Sequence, residues 1–67
     1  MEIIAMRGKD RFLVVIEKNL CALVNVRDDT VIYKSDPWSF LKFGYFTDPE
    51  YDEEILTKIE QLLAKQI

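Results

Sequence analysis

The chain has 67 residues, 49% of them apolar and 31% charged, with a net charge of −3, one cysteine and no histidine. That length fits a single domain spanning 1–67, which buries only about 60% of the surface its extended chain would expose and has a thin margin of stability. Cys21 has no second cysteine to bridge to and no histidine with which to share a metal, so an intrachain disulfide, a zinc staple and any mechanism built on a histidine base are excluded.

From residue 1 onward, short apolar runs alternate with brief polar breaks, the pattern of an antiparallel meander. Four strands are predicted at 2–6, 11–17, 20–27 and 30–34. The breaks hold Arg7-Gly8-Lys9-Asp10, Lys18-Asn19 and Asp28-Asp29, residue types that tolerate the positive backbone angles of tight turns. Side chains alternate between the faces of a strand, yet Phe12, Val14 and Ile16 on one face of the second strand are matched by Leu13 and Val15 on the other. The third strand repeats this with Leu20, Ala22, Val24 and Val26 against Cys21 and Leu23, so both strands are expected to be buried on two sides.

Ser35-Asp36-Pro37 ends the meander, because proline fixes its own φ and disfavours helix in the residue before it. Asp36 as cap, Pro37 at the first position and Gly44 as terminator suit a short helix, whereas the aromatic content suits a fifth strand. Six of the eight aromatic residues fall between Trp38 and Tyr51. Asp48-Pro49, with Thr47 and Glu50 at capping-box spacing, then predicts the start of a second helix. Its apolar residues 51, 55, 56, 59, 62, 63 and 67 follow helical spacing, and Glu54 and Lys58 are placed to pair at i, i+4. The predicted fold is therefore α+β: a four-stranded antiparallel meander, a short helix or fifth strand, and a C-terminal amphipathic helix packed on the sheet.

That helix can cover one side of the sheet. The other side needs the aromatic segment, a second copy of the chain, or closure of the sheet on itself. Small scaffolds lacking disulfides and metals rely on packing or oligomerisation, and a homodimer is the expected outcome.

Little in the chain points to chemistry. Cys21 lies among Leu20, Ala22 and Leu23, where a thiol is an inert core residue. Asp28-Asp29 read as a turn and Asp52-Glu53-Glu54 as the acidic first turn of a helix, and carboxylates acting across a dimer interface are the weakest of the functional readings. Gly8 and Gly44 are isolated and form no phosphate loop, so no cofactor is expected. The apolar runs reach only five residues, as at 12–16, and no basic, long-apolar leader opens the chain. With a lone thiol, this suggests a cytoplasmic location without membrane contact.

The leading functional expectation is a non-enzymatic protein that acts by self-association and protein binding, as an adaptor, inhibitor or accessory subunit. Trp38, Phe40, Phe43, Tyr45 and Phe46 are its candidate contact residues, because exposed aromatic residues dominate interface hot spots. If the segment is core instead, Trp38, Phe40, Leu41, Phe43 and Phe46 are expected beneath the long helix, with Lys42 outward. The alternative is a small-ligand or single-stranded nucleic-acid binder that combines these rings with Arg7, Lys9 and Arg11. Residues 1–46 carry seven basic and six acidic side chains and 47–67 carry two and six, and the total of −3 argues against phosphate binding as the main role.

Overall fold

The computed structural model describes residues 1–36 and 45–65. Four strands, β1 (Glu2–Arg7), β2 (Arg11–Glu17), β3 (Leu20–Asn25) and β4 (Thr30–Lys34), form an antiparallel sheet in the order β1-β2-β3-β4. One helix follows, α1 (Glu53–Ala64). The chain is thus α+β, and the four-stranded meander is as predicted. The proposed short helix or fifth strand between Pro37 and Gly44 lies outside the described residues.

Turn chemistry sets the strand limits. Gly8 has φ of +65°, a left-handed conformation that favours glycine, and a Cβ there would press on Asp10 Oδ1 at 3.3 Å. Asp29 takes φ of 56°, a region that aspartate tolerates in turns. The third strand stops two residues short of its predicted end because Asn25 diverts the chain. Its Oδ1 accepts the Arg27 and Asp28 N–H groups, each at 3.0 Å, while Val26 N–H turns to the Asp10 carbonyl at 2.9 Å.

Both faces of the sheet are apolar, as the sequence requires. On one face Ile3, Phe12, Val14, Ala22 and Val24 form a buried cluster with Ile59 and Leu62 of α1, and Ile55, Leu56 and Leu63 pack against it. Full burial of a residue such as Ile59 contributes roughly 1.5–3 kcal/mol. The opposite face holds a second cluster, Ala5, Leu13 and Cys21, with Ile4, Val15, Leu23 and Phe46 packed around it. Ile3 and Ala5 lie two residues apart, yet they join different clusters. A register shift between them, with Ile3 opposite Val14 and Ala5 opposite Leu13, inserts Ile4 as an extra residue and moves the rest of β1 to the other face.

The helix starts later than Asp48-Pro49 predicts. Asp52, extended at φ −101° and ψ −177°, is the N-cap, and its Oδ1 accepts the Ile55 N–H at 2.9 Å. Thr47 is committed elsewhere. Its N–H donates to the Met6 carbonyl at 2.9 Å and its carbonyl accepts the Met6 N–H at 3.0 Å, an isolated antiparallel bridge on the outer side of β1. Glu50 N–H donates to Met6 Sδ at 3.3 Å, so the proposed capping box does not form. Lys58 also differs from expectation: it pairs at 3.1 Å with Asp29 in the β3–β4 turn. Both side chains are about half exposed, and such a pair is worth under about 1 kcal/mol. The Asp52 cap is the larger effect. Asp52→Ala is expected to lower unfolding free energy by about 1 kcal/mol, read as a reduced urea midpoint at unchanged slope.

Candidate functional site

Two surface features stand out, and both follow from sheet register. The first is β4, an edge strand. Among the described residues no strand pairs with its outer side, and its pairing with β3 runs from Asn25–Thr30 to Cys21–Lys34 without a bulge. Ile32 is 52% exposed and Tyr33 38% exposed, on a strand of sequence Thr-Val-Ile-Tyr-Lys. These are strand-favouring residues, and a regular apolar edge offers unpaired backbone groups to another strand. Tyr33 lies opposite Ala22 and lines a cavity of about 480 Å³ with Ile16, Leu20 and Leu63, rimmed by Glu17 and Glu60. Ile32 lies opposite Leu23 on the other face. The strand therefore presents apolar surface on both sides of its edge.

The second feature is a polar row across the end of the sheet at the β1–β2 and β3–β4 turns. Arg7 faces Arg11, Arg11 faces Asn25, and Asn25 faces Thr30. Cross-strand partners share a face, so all four residues lie on one side of the sheet, that of Leu23 and Ile32. These six residues line a cavity of about 280 Å³. Neither guanidinium has an ion-pair partner among the described residues. Lys9, in the turn between the two arginines, is exposed and does not line the cavity. Sequence reasoning thus singled out Arg7 and Arg11 but missed Asn25 and Thr30, because no local motif joins them and only the register of three hairpins brings them together.

The aromatic candidates divide. Tyr45 is 93% exposed. Phe46 is half-buried and packs on the Ala5–Leu13–Cys21 cluster, across the sheet from Ile59 and Leu62, and so not beneath the helix. Trp38, Phe40 and Phe43 lie outside the described residues.

Three carboxylates of the two acidic groups have local structural roles. Asp28 accepts from Asn25 Nδ2 at 3.2 Å, Asp29 pairs with Lys58, and Asp52 caps α1. Among the described residues no three His, Cys, Asp or Glu side chains gather as metal ligands, and no helix is long and apolar enough to cross a membrane.

Cys21 is buried, and its Sγ–H donates to the Lys34 carbonyl at 3.2 Å. Burial, reinforced by the Asp36 carboxylate, pushes its pKa up, against weaker opposing contributions from Lys34. A thiol held in its protonated form is a poor nucleophile. Labelling by a thiol reagent is therefore expected to require opening of the sheet and to run roughly 10³-fold slower than in urea-unfolded chain. Because folding raises this pKa, the contribution to stability is present at neutral pH and is lost as pH climbs through the alkaline range. A urea midpoint that stays constant into that range would contradict this.

No family model, curated protein or solved structure matches the chain.

Proposed function

We propose that this chain is a non-enzymatic protein that works by self-association and protein binding, with the open edge of β4 as its contact strand. The observation that carries this reading is the exposure of Ile32 and Tyr33 on an edge strand with regular pairing and no bulge. Antiparallel pairing of β4 with β4 of a second copy about a two-fold axis at Ile32 sets Ile32 against Ile32 of the partner subunit. In that register Val31 meets the partner's Tyr33, and Thr30 meets the partner's Lys34. Each exposed apolar side chain then gains an apolar neighbour, and the two sheets join into one of eight strands.

The two-sided apolar sheet and the small size of the chain also favour a second subunit. Tyr45, with Trp38, Phe40, Phe43 and Phe46, supplies further contact surface for a partner protein. A lone buried thiol suits a reducing compartment, and we place the protein in the cytoplasm. The test is light-scattering mass across a concentration series for the natural chain and for Ile32→Lys. The expected result is a dimer that the substitution dissociates. A natural chain that stays monomeric at millimolar concentration while fully folded would overturn the reading.

A further inference from the structure

We infer that the row of Arg7, Arg11, Asn25 and Thr30 is a binding site for a small organic phosphate, with the phosphoryl group held between the two guanidiniums and an apolar body lying on Leu23 and Ile32. The site shares Thr30 and Ile32 with the proposed β4 contact, and it is tested by ligand binding, separately from the light-scattering mass that tests that contact. Like charges directly opposite one another in a strand pair destabilise it, and Arg7 and Arg11 are such a pair; neither is ion-paired among the described residues, and the Asp28 carboxylate that meets the row is bound to Asn25 Nδ2. An anion between them removes that repulsion. Guanidinium forks match tetrahedral oxyanions in geometry and keep their charge at any working pH.

Charge selects among anions. Two fixed positive charges match a phosphate monoester, which carries close to two negative charges at neutral pH, whereas a single carboxylate neutralises only one of them. The cavity also has an apolar side. Leu23 and Ile32 line it together with the polar row, and Ile32 is half exposed. An aromatic or aliphatic group esterified to the phosphate would cover them. At about 25 cal/mol per Å², covering about 60 Å² of apolar surface tightens binding about tenfold over inorganic phosphate.

The size of the site and the charge of the chain argue for a single compact anion over a nucleic-acid strand. The cavity is about 280 Å³ and the chain carries −3 overall. A long polyanion meets that net repulsion, while a small ligand within the Debye length of about 8 Å responds to the two arginines.

Phenyl phosphate, inorganic phosphate, sulfate and an oligothymidylate, each titrated into the isotope-labelled chain and followed by amide NMR shifts, provide the test. Phenyl phosphate is expected to give saturable shifts at Arg7, Arg11, Leu23, Asn25 and Ile32 and to bind about tenfold more tightly than inorganic phosphate. Arg7→Gln and Arg11→Gln should each weaken it about tenfold or more. Ile32→Ala should abolish the preference for the phenyl ester while leaving inorganic phosphate unchanged. In phosphate-free, low-salt buffer the two arginine variants should melt at the same temperature as the natural chain or higher, because a repulsion has been removed. Lower melting would assign the arginines a structural role and overturn the inference. Shifts confined to residues other than the six that line the cavity, equal binding by the arginine variants, or tighter binding of oligothymidylate per phosphate would each do so as well.

Discussion

Phe12→Ala is expected to leave the chain largely unfolded near physiological temperature. Phe12 is 0% exposed, lies opposite both Met6 and Val24, and belongs to the cluster that contains Ile59 and Leu62. Truncating a buried phenylalanine costs about 3–5 kcal/mol, through lost transfer energy and the cavity left behind. A 67-residue chain at typical per-residue stability has a total of roughly 3–10 kcal/mol, so the loss ranges from about a third of it to all of it. The fall in melting temperature should be about 15 °C or greater. Phe12→Leu, which keeps most of the volume, should cost under about 2 kcal/mol and retain a cooperative transition. Urea unfolding of both variants, followed by circular dichroism, measures the difference. A loss below about 1 kcal/mol for the alanine variant would mean that Phe12 does not anchor this core.

Ile32→Lys is expected to produce the opposite phenotype, an intact subunit with lost association. Its side chain is half exposed on an edge strand, so replacing it should change monomer stability by no more than about 0.5 kcal/mol. At a two-fold interface every substitution acts twice, and here both copies place a charge opposite an identical charge. Loss of two apolar contacts and gain of that repulsion should total about 3 kcal/mol, more than 100-fold in the dimer dissociation constant. Sedimentation or light scattering reads the dissociation constant, and thermal melting at low concentration reads the subunit. A variant that melts far below the natural chain would place Ile32 in the core of the subunit instead.

The strands were legible because the breaks after β1 and β3 carry residues with a backbone reason to be there. Gly8 and Asp29 have positive φ, and Asn25 ends its strand through two hydrogen bonds from the following turn. The bulge at Ile4 was not legible, since residues 2–7 read as an unbroken strand and only pairing with β2 reveals the extra residue. The start of the helix was misplaced for a tertiary reason. Asp48-Pro49 and Asp52 are both acceptable starts locally, and the bridge from Thr47 to Met6 holds the first in extended geometry. Phe46 presents the same problem. Nothing in its neighbours says which face it will cover, and that is fixed by the return of the chain to the outer side of β1. Of the arginine row, the sequence shows two cations near a turn, while the Asn25 and Thr30 partners depend on registers set by three separate hairpins.

The bridge between Met6 and Thr47 also limits how far assembly can proceed. It occupies backbone groups on the outer side of β1, and the Ile4 bulge distorts the same edge, whereas among the described residues β4 shows neither a bulge nor a bridge on its outer side. Two sheets can join β4 to β4, but the edges left at either end of the joined pair are then both β1, and neither is a regular template for a further strand. In the proposed dimer growth would then stop at two copies, and the exposed strand would be kept from seeding a fibril because β4 is the regular edge that the described residues leave for it to pair with.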